Sequence, residues 1–283
     1  MLRLTDLRKS FGAVTAVDGL TLEVRKGEVF GLLGPNGAGK STTIGMAVGL
    51  LAPDAGSVEI EGVGSPTDAR ARRSLGVAPQ ALALYEEMTA EENLRFFGSL
   101  YGLAGSGLAA RVDAVLRMVG LEQRRGDRVK TYSGGMKRRI NLAAAMVHDP
   151  PVILLDEPTA GVDPQSRNNL LEVVRGLASG GKTVVYTTHY MEEASRLCDR
   201  IAIMDHGKVI AMGTVVELTG RFGGKSVVTV HRGEAGAERI ETDAPLRELE
   251  RVMAGGGVTN VRVDQPDLES VFLSLTGRSL RDE

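Results

Sequence analysis

Residues 34–41 read Gly34-Pro35-Asn36-Gly37-Ala38-Gly39-Lys40-Ser41, which fits the phosphate-loop pattern G-x-x-x-x-G-K-[ST]. The apolar run Val29-Phe30-Gly31-Leu32-Leu33 precedes it and reads as a buried strand. Ser41, Thr42, Thr43 and Ile44 follow as the first turn of a helix. Gly34, Gly37 and Gly39 allow the backbone to curl until successive amides converge on phosphate oxygens. The helix starting near Lys40 adds the positive end of its dipole. Lys40 is placed to reach the β- and γ-phosphates, and the Ser41 hydroxyl to ligate Mg²⁺. The pattern implies a nucleoside triphosphate site.

Further along, Pro151-Val152-Ile153-Leu154-Leu155-Asp156-Glu157 is an apolar strand ending in two carboxylates. Parallel sheets collect ligand chemistry at the C-terminal edge of their strands. Given the upstream phosphate loop, Asp156 is expected to hold Mg²⁺ and Glu157 to act as general base on the attacking water. Tyr132-Ser133-Gly134-Gly135-Met136 opens a helix continuing through Ile140, Leu142 and Met146. Ser133 is suited to cap it, and the two glycines allow a phosphate close to the exposed amides.

Composition narrows the class. Of 283 residues, 42% are apolar and 25% charged, as in ordinary globular proteins. The net charge of -2 speaks against a nucleic-acid footprint. The single cysteine, Cys198, excludes an intramolecular disulfide and reads as a small buried hydrophobe. The four histidines lack metal-ligand spacing, and no apolar stretch approaches a membrane span. The N-terminus lacks the apolar core of a signal peptide, which points to a cytosolic chain that reaches a membrane only through a partner.

The periodicity implies an α/β fold with a mainly parallel sheet. The first 25 or so residues alternate as antiparallel strands, and Gly56–Ile60 reads as a further short strand. Residues 86–147 have helical spacing and form an inserted helical subdomain. Strands over 152–155, 183–186 and 201–204 alternate with helices over 170–177 and 191–198, the pattern of a parallel sheet covered on both faces. Glycines punctuate the chain beyond Leu218, where strands over 226–230 and 258–263 and helices over 246–253 and 268–275 predict a small α/β appendage. The expected domains are therefore 1–217 and 218–283.

The phosphate loop, Ser133-Gly134-Gly135 and the Asp156-Glu157 strand, in that order, resemble the nucleotide-binding subunit of ABC transporters. Further residues match where that family would put them. Gln80 in Val77-Ala78-Pro79-Gln80 matches the Q-loop glutamine, Asp163 in Gly161-Val162-Asp163 the D-loop, and His189 the switch histidine. Phe11 falls where the family stacks an aromatic ring on adenine. The resemblance covers about residues 2 to 217. It departs at Phe11, where tyrosine is usual, and at Tyr132 and Val162, where leucine is commoner; stacking needs only a ring face, so Phe11 should still serve. The ending Leu268 to Arg278 is similar to the tail of daunorubicin-resistance-type exporters of the ABC-2 group. A plain amphipathic helix with Leu268, Val271, Phe272 and Leu275 as its apolar stripe reads equally well.

The resemblance implies a P-loop ATPase with ATP and Mg²⁺ as cofactors. It also implies a homodimer in which two copies trap two ATP molecules head-to-tail. Lys40, Ser41, Asp156, Glu157, Gln80 and His189 would serve one ATP, with Ser41, Gln80 and Asp156 around the metal. Pro35, Asn36, Ala38 and Thr42 complete the phosphate loop and its first helical turn; Ser133, Gly134 and Gly135 would reach the other copy's γ-phosphate. The partner would be an integral membrane permease at the cytoplasmic face, docked around Leu82, Leu84, Tyr85 and Met88, and the cargo a drug-like or lipid-like compound moved outward. A soluble ATPase of the same family acting on nucleic acid or the ribosome is the alternative. The stretch between loop and signature is too short for a coiled-coil insertion, and no basic patch dominates, so no nucleic-acid partner is expected. A small-molecule kinase would leave Ser133-Gly134-Gly135 and His189 unexplained.

Overall fold

All residues of Val29–Leu33, Val152–Asp156 and Thr183–Thr188 are buried, as apolar strands covered on both faces must be. In the computed structural model, which describes residues 1–233 and 236–277, these runs form the middle of a six-stranded sheet. Two compact units divide the chain, Met1–Met212 and Gly213–Glu283. Arg278, the last residue of the tail similarity, lies outside the described residues.

The first unit begins with β1 (Leu2–Phe11) and β2 (Val14–Val24), an antiparallel pair. Then come β3 (Val29–Leu33), α1 (Lys40–Ala47) and β4 (Ala55–Ile60), which pairs antiparallel with the other edge of β1. A short α2 (Ala69–Arg72) leads into β5 (Leu75–Ala78). The helical subdomain follows as α3 (Ala90–Leu100), α4 (Gly105–Met118) and α5 (Gly134–Met146). The chain returns to the sheet through β6 (Val152–Asp156), α6 (Pro164–Ser179), β7 (Thr183–Thr188), α7 (Met191–Leu197), β8 (Arg200–Asp205) and β9 (Lys208–Gly213).

The large sheet has the order β5-β6-β7-β3-β8-β9, and the pairings β5–β6, β6–β7, β7–β3 and β3–β8 are all parallel. The main core gathers Leu2, Leu4, Leu20 and Leu22 from the antiparallel sheet, Ile44 and Met46 from α1, and Phe30, Leu32 and Leu154 from the large sheet. Parallel register has a direct consequence for chemistry. Leu33 pairs with Thr188 and Asp156 with Thr187, so the segments leaving β3, β5, β6 and β7 emerge side by side at one edge.

Strand β5 is not apparent from sequence, because it is only four residues long and ends at a proline. It is held by Gly76, where a Cβ would come within 2.2 Å of the Ala145 carbonyl oxygen of α5. Strand β9 is likewise not apparent, since its burial alternates weakly at the sheet edge.

His148 ties the helical subdomain to this sheet. Its ring stacks on Tyr101 at the end of α3, with centroids 3.5 Å apart, and its Nε2 lies 3.1 Å from the Leu75 carbonyl oxygen. Burial, the largest influence, pushes its pKa down to about 4 from the ordinary 6.5. A folded-state pKa below the unfolded one means that the unfolded chain binds the extra proton between those values, so stability falls as pH drops from about 6.5 to 4. Allowing for partial exposure, the loss is on the order of 2 kcal/mol. Thermal denaturation across this range should fall more steeply for the natural protein than for His148→Gln.

The second unit contains α8 (Val215–Phe222), β10 (Ser226–His231), β11 (Ala237–Thr242), α9 (Pro245–Ala254), β12 (Asn260–Asp264) and α10 (Leu268–Thr276). Its antiparallel sheet has the order β11-β10-β12, with Val228, Val230 and Val252 at its core. In α10, Leu268, Val271 and Phe272 are buried and Leu275 half-buried, and α10 packs on α8. A division at 217/218 would cut through α8, whose capping box is Thr214 with Glu217. None of the described helices is long and apolar enough to cross a membrane.

Candidate active site

The phosphate loop leaves β3 at Gly34, whose amide donates to the Thr188 carbonyl at 3.2 Å. A Cβ on Gly34 would sit 2.2 Å from the Met204 carbonyl oxygen, and one on Gly39 2.3 Å from that of Ala16. Gly39 also has φ of 102°, a conformation that glycine adopts without strain. Helix α1 starts after Gly39 with no side-chain cap and no acidic residue in its first turn. Its leading amides therefore have no intrahelical or side-chain acceptor, the condition for receiving an anion. Asn36, Gly37 and Ser41 are exposed, Pro35 and Ala38 buried, and Thr42 half-buried.

Lys40 is only 4% exposed. Its Nζ donates to the Gly34 carbonyl at 2.7 Å and the Pro35 carbonyl at 2.8 Å, and pairs with Glu157 Oε1 at 3.0 Å. The other oxygen of Glu157, Oε2, accepts from Gln80 Nε2 at 3.3 Å and lies 3.2 Å from His189 Nδ1. One buried carboxylate thus gathers residues from three strand ends and the loop. Glu157 itself is left-handed, with φ of 44°, although Pro158 follows it. Such a conformation costs about 1–3 kcal/mol and persists only where its surroundings fix it. Here Thr187 does so: its Oγ1 accepts from the Glu157 amide at 2.9 Å and donates to Asp156 Oδ1 at 2.7 Å.

Among the described residues no group of three or more His, Cys, Asp or Glu is arranged to hold a metal. The donors within this edge are the Ser41 hydroxyl, the Gln80 amide oxygen and the Asp156 carboxylate. All are oxygens, the ligand type a hard divalent cation takes alongside phosphate and water.

This constellation of an uncapped glycine-rich loop, a buried lysine and a carboxylate meeting glutamine and histidine agrees with the chain's similarity to known proteins. The family model described as ABC transporter matches residues 17–160. The linearmycin resistance ATP-binding protein of Bacillus subtilis is 43% identical, with both chains covered completely. Nod factor export ATP-binding protein I of Ralstonia nicotianae is 41% identical over all of this chain and 95% of its own. The chain belongs to the ABC transporter family. Solved ATP-binding subunits share its architecture. One is 35% identical with a TM-score of 0.71, covering 79% of this chain and 93% of its own. Another is a dimeric cassette in a post-hydrolysis state with ADP and Pi, 28% identical with a TM-score of 0.69, covering 76% and 98% respectively. The protein is an ATPase of this kind.

The Ser133-Gly134-Gly135 segment lies at the start of α5. Ser133 caps the helix by accepting from the Met136 amide at 3.2 Å, and Ser133 and Gly134 are exposed. Tyr132, where leucine is commoner, is buried, and its hydroxyl donates to the Arg124 carbonyl at 2.6 Å. Phe11 ends β1 half-exposed, with one face toward Lys9. Asp163 caps α6 by accepting from the Ser166 amide at 2.9 Å. No hydrogen bond or ion pair found among the described residues joins Ser133, Gly134, Gly135, Phe11 or Asp163 to the Lys40–Glu157 cluster.

Several residues that shape the site are not apparent from the sequence motifs. Arg138 on α5 donates to the Gln80 carbonyl and, at 3.0 Å, to the Ala160 carbonyl. Asn141 accepts from the Ala83 amide and donates to the Pro79 carbonyl. Gly135 illustrates close packing: a Cβ there would lie 2.2 Å from Ser166 Oγ and 2.5 Å from Ser166 Cβ. Gly135→Ala should therefore displace the start of α6 and lower the melting temperature, and Ser166→Gly in the same chain should restore it.

Proposed function

We propose that this chain is the ATP-hydrolysing subunit of an exporter, powering outward movement of a drug-like or lipid-like compound through a separate membrane permease. The buried Lys40–Glu157–His189–Gln80 cluster at the mouth of the phosphate loop carries the proposal. Relatives concerned with linearmycin resistance and Nod factor export support the cargo class and direction.

In this scheme Lys40 exchanges its Glu157 partner for the terminal phosphates of ATP, since an ammonium held by two carbonyls can turn to a more strongly charged acceptor. Mg²⁺ held by Ser41, Gln80 and Asp156 would neutralise phosphate charge. Glu157, freed on one oxygen, takes a proton from the water that attacks the γ-phosphorus as the bond to ADP breaks. His189, fixed through Nδ1 by Glu157, orients that water and the γ-phosphate. Phe11 supplies a ring face for adenine.

Two copies close head-to-tail, and Ser133, Gly134 and Gly135 of one meet the γ-phosphate bound by the other, with Asp163 near the seam. Hydrolysis removes the charge holding the two helix starts together, and the dimer opens. Gln80 reports the state of the site to the helical subdomain, because its carbonyl is tied to α5 through Arg138. The permease docks at the cytoplasmic face of the membrane around Leu82, Leu84, Tyr85 and Met88. Leu82 and Tyr85 are exposed, and Tyr85 sits edge-on to Phe96 at 5.0 Å.

Detergent extraction of membranes carrying a tagged copy, followed by nucleotide addition, tests this reading. An integral membrane protein should co-purify, and reconstituting the pair in vesicles should raise phosphate release above that of the lone subunit. A chain found only in the soluble fraction, with activity raised by nucleic acid, would support the alternative.

A further inference from the structure

Glu193, on the short helix after His189, is 1% exposed. Its two carboxylate oxygens accept three hydroxyl hydrogen bonds. Thr159 donates to Oε1 at 2.8 Å; Tyr186 at 2.9 Å and Thr188 at 2.8 Å donate to Oε2. Arg167 Nε lies 3.3 Å from Oε1, near enough for an ion pair but poorly aligned for a hydrogen bond. A buried carboxylate that accepts this many hydrogen bonds fixes the groups around it.

The positions of those groups are informative. Thr159 lies two residues after Glu157, and Thr188 immediately precedes His189. Thr188 Oγ1 also accepts from the Tyr190 amide at 2.9 Å, so the histidine is held on both sides by the same hydroxyl. A second brace reaches the histidine ring. The Arg167 guanidinium of α6 stacks over Tyr190 at 4.3 Å, and the Tyr190 ring centroid is 4.0 Å from that of His189.

We infer that Glu193 is a positioning residue for ATP hydrolysis: it clamps the segments carrying Glu157 and His189 to one another and sets the 3.2 Å approach of the histidine to the carboxylate. It touches neither nucleotide nor water in the proposed scheme and acts through His189. The inference rests on the assignment of Glu157 and His189 to hydrolysis.

A purely structural role would lower stability and nucleotide affinity together with rate. A positioning role separates them. Glu193→Gln replaces one acceptor oxygen by a donor facing hydroxyls, so the clamp loosens with little change in volume. Steady-state phosphate release by Glu193→Gln should show kcat reduced about tenfold or more, with KM and ATP affinity within about twofold of the natural protein. In combination with His189→Ala, Glu193→Gln should cause no further fall, because both changes remove the same orientation.

Thr159→Val removes a single donor and tests the idea if Glu193→Gln does not fold. It should lower kcat by a smaller factor, again without change in ATP affinity, and Thr159→Ser should restore it. The inference is overturned by unchanged kcat in Glu193→Gln, or in Thr159→Val where that is the variant used, by losses that multiply with His189→Ala, or by ATP affinity falling in step with kcat. Glu157→Gln measured alongside separates the two levels. If it turns over at the natural rate, the site assignment itself fails; if it is inactive while Glu193→Gln is fully active, only the clamp fails.

Discussion

Glu157→Gln is expected to reduce ATP turnover by about 10²–10⁴-fold, the range for losing a general base, while ATP still binds. The substitution keeps the side chain's size and its ability to accept from Lys40, which also holds the Gly34 and Pro35 carbonyls. The negative charge and the capacity to take a proton are lost. Because hydrolysis is the event that releases the closed state, the variant should retain unhydrolysed nucleotide. Rapid-quench measurement of ADP formation together with filter retention of ATP provides the check. Brisk hydrolysis by Glu157→Gln would remove the residue as the base.

Lys40→Ala should have the second large effect, and it should act on binding. Loss of charge-assisted contacts to the phosphates weakens ATP affinity by about 2 kcal/mol, roughly 30-fold, readable by calorimetry. A second consequence follows from the nucleotide-free geometry. Among the described residues Lys40 is the only lysine or arginine within ion-pair distance of the Glu157 carboxylate, and Glu157 is buried. Removing one member of a buried pair leaves an uncompensated charge and costs about 3–5 kcal/mol. The melting temperature without nucleotide should therefore drop for Lys40→Ala and recover in Lys40→Ala/Glu157→Gln. Unchanged ATP affinity would contradict the loop assignment.

The chemistry-bearing segments were legible in the sequence because each carries a local rule. Val29–Leu33 and Val152–Asp156 are solid apolar runs, the glycines of the phosphate loop have fixed spacing, and Ser133 is a good cap before a helix. What could not be read is set by long-range approach. Thr187 and Glu193 look like an ordinary strand threonine and a surface helix glutamate until the register brings β6 beside β7. The left-handed conformation of Glu157 runs against the bias of a residue before proline, so local propensity pointed away from it. Strand β5 depends on the close contact of Gly76 with α5. In the second unit, β11 is mostly exposed and charged, Ala237-Glu238-Arg239-Ile240-Glu241-Thr242, and is a strand because β10 offers it an edge.

Sedimentation of Glu157→Gln at saturating ATP, with and without Gly134→Asp, tests the head-to-tail clamp most directly. Gly134 is exposed and a Cβ there meets nothing within 4 Å, so the added carboxylate leaves the single copy intact but repels a partner's γ-phosphate. Glu157→Gln should sediment at twice the 30.0 kDa chain mass, and Glu157→Gln/Gly134→Asp should bind ATP yet remain at the single-chain mass. A nucleotide-loaded Glu157→Gln that stays monomeric, or a double variant that dimerises as well as the single one, would contradict the account.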